Sequence, residues 1–236
     1  MLSKAQNKYI RSLSQQKYRK ESQVFVAEGD KIALEWLNAD ADIKMIVGVQ
    51  EWISRHQGSI NKHPEASLHI VEPHILESLS TLKTPNMVLL VVALPEPQQV
   101  NSFNWCLALD DIQDPGNMGT IIRIADWFGW GQIVCSPNCV DVYNPKVVQS
   151  AMGGHLRVNI ITEDLSTYLS KADKPIFAAA LEGTNIYQLT KPDSGILVIG
   201  NESKGISEPI MRLATQKITI VCILYDGITI VCILIV

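Results

Sequence analysis

The stretch CLALDDIQDPGNMGTIIRIADWFGWGQIVCS, Cys106 to Ser136, decides how the chain is read. It opens on an apolar run of strand length, CLALDDI. Asp114-Pro115-Gly116-Asn117-Met118-Gly119 then turns the chain, with Pro115-Gly116 making the turn and Asn117 placed to cap a helix. GTIIRIADWFGW carries helical spacing of apolar residues, and QIVCS is a second strand. The alternation continues downstream. NPKVVQSAMGG reads as a helix with Asn144 as cap and Pro145 at the first helical position. EDLSTYLSKA and SEPIMRLA are further helices, and IFAAAL, GILVIG and KITI further strands. Such an order predicts an α/β fold, a mostly parallel sheet covered by helices. Ligands on such sheets sit beyond the carboxyl ends of the strands. Two loops therefore matter most, DPGNMGT after CLALDDI and GNESKGIS after GILVIG.

Each loop has a plain reading and a chemical one. In the first, Arg123 is expected about one turn into the helix, pointing to the mouth of the sheet, where it suits a phosphate or another anion. The plainer reading is a capped turn with a surface arginine. Neither a GxGxxG nor a Walker A spacing is present. In the second, Gly200 and Gly205 flank Asn201 to Lys204, and Ser207 is placed to cap the next helix. Glu202 could fix Arg123 or a ribose hydroxyl; its plainer reading is a solvent-facing side chain in a βα turn.

Outward from this half, VALPEPQQVNSFNW reads as a linker, with residues 95–105 separating a domain at 1–94 from one at 106–236. The first domain is a small α/β unit with strands in VFVA, IKMIVGV, LHIVE and MVLLVVAL and a helix in EPHILESLS. Its first twenty residues carry Lys4, Lys8, Arg11, Lys17, Arg19 and Lys20 with no acidic residue. A local patch of this kind can bind a phosphate backbone although the whole chain has a net charge of −4. A solvated helix face is the plainer alternative. The five cysteines, Cys106, Cys135, Cys139, Cys222 and Cys232, are odd in number and sit mostly in apolar runs, so they read as reduced structural residues. No metal is implied, because no cluster has ligand spacing. The N-terminus lacks the apolar core of a secretory signal, and no unbroken apolar run is long enough to span a membrane. A cytoplasmic location is expected.

Taken together and in this order, DPGNMGTIIRIADWFG, VVQSAMGG, VIGNESKGIS and KITI resemble the SpoU (TrmH-like) family of RNA ribose 2′-O-methyltransferases. The resemblance covers most of Leu107 to Ile220. More loosely, KYIRSLSQQKYRKESQVFVAEGDKIALEWL is similar to the family's N-terminal RNA-binding domain of L30e/L7Ae-like fold. The resemblance implies a trefoil-knotted SPOUT-type α/β domain, a homodimer, and S-adenosylmethionine as cofactor. It implies catalytic roles for Arg123, Asn117 and Glu202, with Glu202 positioning the arginine. It implies cofactor contacts from Leu181, Gly200 and Ile220, and structured tRNA or rRNA as partner. Ser150 falls near the substrate side by resemblance, or else serves helix packing. His155 reads as a loop histidine. A guanidinium is a poor base, so Arg123 is expected to stabilise the developing alkoxide and anchor phosphate.

The chain departs from the family at its end. ITIVCIL occurs twice, from Ile218 and from Ile228, around Tyr225-Asp226-Gly227. Val221 stands where the family has proline, and no Ser-Leu-Asn follows Ile220. On its own physics, 221–236 reads as an apolar hairpin on an Asp-Gly turn, a poor substitute for a helix. It is read as an altered or frameshifted terminus, or an artefact of the recorded sequence, with a divergent native ending as the alternative. The completed knot, the cofactor affinity and the dimer contact are the features it puts in question. A catalytically silent RNA-binding relative is therefore the rival to the enzyme.

Overall fold

The computed structural model describes residues 2–82, 86–96, 103–190 and 192–219. Residues 97–102 of the expected linker, Ile220, and 221–236, which hold all but the start of the duplication, lie outside the described residues. In chain order the elements are α1 (Lys4–Ser12), α2 (Gln16–Ser22), β1 (Val24–Glu28), α3 (Asp30–Asn38), β2 (Ile43–Gly48), α4 (Gln50–Arg55), α5 (Gln57–Ile60), β3 (Ser67–Ile70), α6 (Pro73–Leu79) and β4 (Val88–Ala93). There follow β5 (Trp105–Asp110), α7 (Pro115–Trp127), β6 (Gln132–Cys135), α8 (Pro145–Ala151), β7 (Asn159–Thr162), α9 (Leu165–Ser170), β8 (Ile176–Asn185), β9 (Gly195–Gly200), α10 (Glu208–Met211) and β10 (Gln216–Thr219). They form two compact units, Met1–Pro97 with Asp141–Leu156, and Gln98–Val140 with Arg157–Val236.

The first unit is built on a four-stranded sheet in the order β1-β4-β2-β3, with β4 antiparallel to β1 and β2, and β3 parallel to β2. Its core joins Phe25, Trp36, Trp52, Leu89 and Leu90, all nearly inaccessible to solvent. Helix α1 begins on a reciprocal cap, in which Ser3 Oγ accepts from the Gln6 amide and Gln6 Oε1 accepts from the Ser3 amide. The α1 face bearing Ile10 is buried, and the opposite face carries the basic residues.

Helix α8 belongs to this unit. Sequence order assigns it to the 106–236 domain, but Val148 is buried in the first core and Tyr143 packs its ring 4.8 Å from that of Phe25. Apolar contact decides a helix's unit, and neighbours in sequence do not.

The same packing corrects one candidate. Arg19, expected to face RNA, is only 2% exposed. Its guanidinium forms an ion pair with Asp141 and donates to the carbonyls of Leu13 and Ser14 at 2.8 and 2.9 Å. A buried cation needs its charge and its donors satisfied together, and Asp141 and the α1–α2 turn do both. His155 is likewise a structural residue rather than a loop histidine: it is buried against Tyr143, with Nε2 2.7 Å from the Val142 carbonyl. Burial holds its pKa down, to about 4. Ser150 Oγ donates to the Lys146 carbonyl one turn back in α8, the local bond of an ordinary helical serine.

The second unit carries a six-stranded sheet in the order β10-β8-β9-β5-β6-β7, and every pair in it is parallel. Alternation along the central strands serves both faces. Cys106, Ala108, Val134, Ile196 and Val198 join Leu165, Leu169 and Ile210 of α9 and α10 in one core. Leu107, Leu197 and Ile199 face the other side, where they and Ile121 and Ala125 of α7 line one hollow. Near-continuous apolar strands are what a sheet covered on both faces requires. The chain runs outward from β5 to β6 and β7, then resumes on the other side of β5 with β9 and β8. The switch lies between β5 and β9, and there the two motif loops emerge.

Candidate active site

The first loop is held by its own residues. Asp114, not Asn117, is the cap of α7: its carboxylate accepts from the Asn117 amide at 2.9 Å, and Pro115 takes the first helical position. Asn117 is the third helical residue, so its side chain is free of capping. Asp111 adopts a φ of +61°, uncommon for a residue with a side chain. That conformation is fixed from two sides, because the Asp111 amide donates to Ser136 Oγ at 3.0 Å and its carbonyl accepts from Asn201 Nδ2 at 2.8 Å. Strained backbone over-determined in this way is typical of loops that must hold a shape.

The second loop folds back on itself. Asn201 and Gly205 exchange backbone hydrogen bonds of 3.0 and 2.8 Å, and Asn201 Oδ1 accepts from the amides of Ser203 and Lys204. Gly200 is required by this turn. A Cβ there would lie 2.3 Å from the Gly205 carbonyl carbon and the Ile206 amide nitrogen. Ser207 stands at the cap position of α10 without a side-chain cap bond; its amide instead donates to the buried carboxylate of Asp110, at 2.7 Å. The two loops are thus stitched together through Asp110, Asp111 and Asn201.

On that frame the Asn117 side chain donates from Nδ2 to the Glu202 carboxylate, a contact between residues 85 apart in sequence. The expectation that Glu202 holds Arg123 is corrected. Arg123 is the ninth residue of α7, about 12 Å along the axis from Pro115 rather than one turn in. Its side chain is exposed, with no hydrogen bond or ion pair among the described residues. The nearby carboxylate of Asp126 is taken by Arg157, which grips it through two nitrogens at 2.7 and 2.8 Å. Glu202 goes to Asn117 because both emerge at the strand ends, whereas Arg123 lies further down the helix.

Under this loop pair sits Cys139, whose sulfur accepts from the Ile112 amide and donates to the Leu109 carbonyl, each at 3.3 Å. A hydrogen bond from the Cys135 thiol holds its pKa down, to about 7, while that bond and burial push Cys135 up. The structural reading of these cysteines fits their contacts. Sequence reasoning missed the roles of Asp110, Asp111, Asn201 and Ser136. The pair of aspartates closing an apolar strand was the available signal.

The expected cofactor residues lie on adjacent strands. Ala178 of β8 pairs with Val198 of β9, so Leu181 and Gly200 come shortly after that rung on neighbouring strands. Leu181, in the middle of β8 and three residues past its last rung with β9, is 64% exposed, and its carbonyl accepts from Thr219 Oγ1 of the next strand, β10. Adjacent strands with an exposed apolar side chain fit an adenine and a methionine chain held by backbone, so the residues present suit S-adenosylmethionine. Ile220 lies outside the described residues. Among those described, no group of His, Cys, Asp or Glu could hold a metal ion.

Comparison with known proteins extends this geometry. The model of the SpoU rRNA methylase family matches residues 104–223, just over half the chain. The chain belongs to that family. An MRM3-like substrate binding domain matches residues 4–90. Among relatives, the 23S rRNA (guanosine(2553)-2′-O)-methyltransferase RlmP of Bacillus subtilis is 25% identical over 206 residues, covering 86% of this chain and 81% of the relative. A TrmH-family protein from Porphyromonas gingivalis superposes with a TM-score of 0.84 at 31% identity, covering 98% of this chain and 93% of that one. The AdoMet-bound rRNA methyltransferase of Sinorhizobium meliloti, at 24% identity, shares the fold with a TM-score of 0.81 over 98% of this chain and 91% of that one. As a SpoU family member, the chain presents its motif residues at the strand ends just described.

Proposed function

We propose that this chain is an S-adenosylmethionine-dependent RNA ribose 2′-O-methyltransferase acting on rRNA or tRNA. One observation carries the reading: Asn117 and Glu202, from the two family motifs, are paired over the switch point of a parallel sheet. The cofactor, when bound, supplies an electrophilic methyl group. The chain's own residues do the rest. Glu202 accepts from Asn117 Nδ2 and so orients the side chain, whose Oδ1 serves as an acceptor for a ribose hydroxyl. Arg123, free of any carboxylate among the described residues, keeps its full charge for an alkoxide or a phosphate. Leu181, Gly200 and Ile220 are assigned to the cofactor, and Lys4, Lys8 and Arg11, with Lys17 and Lys20 beside them, to RNA.

The family fold supports a trefoil knot in the second unit. A homodimer is supported by an apolar hollow of about 300 Å³ between α7, β5 and β9, lined by Ile121, Ile124, Phe128 and Leu197. Phe128 and Trp127 beside it are 70% and 84% exposed, more apolar surface than a monomer ordinarily leaves. A cytoplasmic location is proposed as the setting of an rRNA or tRNA substrate. The silent RNA-binding alternative, a relative with an incomplete cofactor pocket, draws on one observation, the departure of 221–236 from the family pattern in sequence.

Incubating the purified chain with radiolabelled S-adenosylmethionine and rRNA, then hydrolysing with alkali, separates these readings. Label retained in an alkali-resistant dinucleotide establishes 2′-O-methylation. RNA binding without calorimetric uptake of millimolar cofactor would establish the silent relative.

A further inference from the structure

We infer that a groove in the first unit, between α1 and the segment from Ile70 to Ile75, takes an unpaired stretch of the RNA, with bases on its floor and phosphates on its rim. The inference rests on the RNA-substrate reading above and adds the conformation of the RNA and the place that selects it. The groove has a volume of about 810 Å³, larger than a single nucleotide needs, and lies wholly within the first unit.

Its rim is the part of the basic N-terminus that the fold leaves available. Of the six cations in residues 1–20, Arg19 is buried on Asp141, and Lys17 lies 3.9 Å from Glu21. Lys4, Lys8 and Arg11 follow at helical spacing on the exposed face of α1, and all three line the groove. Arg11 is further fixed by donating from Nε to the Ser78 carbonyl at 2.7 Å, which leaves its terminal nitrogens outward. A row of three cations one helical turn apart tracks a phosphate chain.

The floor shows which form of RNA fits. Ile70, Val71 and Ile75 line it, and Ile70 is 42% exposed. A duplex presents phosphates, ribose hydroxyls and paired base edges, and gains nothing from an apolar floor. Splayed bases have apolar faces to bury, and unpaired RNA is recognised through them. The far wall adds Glu72 and His74, a carboxylate that can accept from an exocyclic amine and a ring on which a base can stack. Basic rim, apolar floor and a mixed wall together describe a site for two or so unpaired nucleotides.

The test uses the full chain and fluorescence anisotropy with a labelled ten-nucleotide single-stranded RNA of mixed sequence, and the same RNA annealed into a blunt duplex. The wild type is expected to prefer the single strand. Lys4→Ala/Lys8→Ala should lower the slope of log affinity against log salt by about 1.4 for the single strand. Ile70→Ser, at the exposed end of β3, should weaken single-strand binding roughly tenfold and leave duplex binding unchanged. Equal or tighter duplex binding would overturn the inference, as would single-strand affinity unmoved by both variants. Failure of the enzyme reading looks different: groove-dependent RNA binding with no methyl transfer removes the enzyme and keeps the groove. Methyl transfer by a protein whose RNA affinity ignores both variants keeps the enzyme and removes the groove.

Discussion

Arg19 and Arg123 put the same side chain to opposite uses. Arg19, in a run of basic residues that invites an RNA-binding reading, is buried and bonded to Asp141 and two carbonyls. Arg123, in an apolar helix where it read as an anion-binding residue or a surface arginine, stands exposed without a partner among the described residues. The difference lies in what surrounds each when the chain folds. The α1–α2 turn offers Arg19 carbonyls with no other donors, and Asp141 comes to it with the α8 excursion. Arg123 stands well down α7 from Glu202, which Asn117 holds, and the carboxylate of Asp126, three residues on, is held by Arg157. A guanidinium whose bonds are satisfied serves the fold, and one left unsatisfied is available for chemistry.

Breaking the Arg19 pair should have the largest effect. Arg19→Ala leaves Asp141, 17% exposed, without its cation and with the Tyr143 amide as its remaining partner among the described residues, and should cost about 3–4 kcal/mol of stability in urea denaturation. Arg123→Ala should stay within about 0.5 kcal/mol of wild type in the same experiment, as an exposed residue does. A reversed order would break the comparison at its root.

The next effect concerns pH. His155 is held neutral by burial, with its pKa lowered to about 4 from 6.5. In the unfolded chain it gains a proton as pH falls through about 6.5, while the native state resists down to about 4. Native stability should therefore fall by up to about 3 kcal/mol from this group between those limits, and level off below. His155→Gln should flatten that part of the urea-midpoint profile. An unchanged profile would show that the imidazole is not held neutral.

Asp114→Ala removes the carboxylate that caps α7 and should cost about 1 kcal/mol. It should also lower activity, because the same cap sets where Asn117 stands. A stability loss with activity intact would mean that the motif loop does not depend on its cap. The smallest change is expected from Lys17→Ala, which removes an exposed cation paired loosely with Glu21 and should lower RNA affinity less than Lys8→Ala.

Much of the fold was legible. Most strands and helices from Cys106 to Thr219 follow from apolar runs, periodicity and caps, since a parallel sheet buried on both faces leaves a plain imprint; the four-residue strand β7 at the sheet edge was not read. Asn144 and Pro145 start α8 as read. What sequence did not reveal was which unit α8 joins, because that depends on Val148 and Tyr143 meeting a core formed more than a hundred residues earlier. The site was legible as two loops and as residues to watch, while their pairing was not. Asn117 was read as a cap because asparagine caps helices, but Asp114 stands three residues earlier, starts the helix there and accepts from the Asn117 backbone amide. Glu202 was expected at Arg123, yet the helical rise carries Arg123 away from the strand ends. Arg19 shows the limit of reading charge from composition: a basic cluster has a count but no inside or outside until the chain folds.

The central claim is that Arg123 is held free for chemistry. The most direct measurement compares Arg123→Lys with wild type in methyl transfer and in RNA affinity. Lysine keeps the charge but loses the planar fork that matches a phosphate or alkoxide. The account predicts that methyl transfer falls by about 10²–10³ while RNA affinity changes by no more than a few fold. Equal losses in the two, or full activity in the variant, would contradict it.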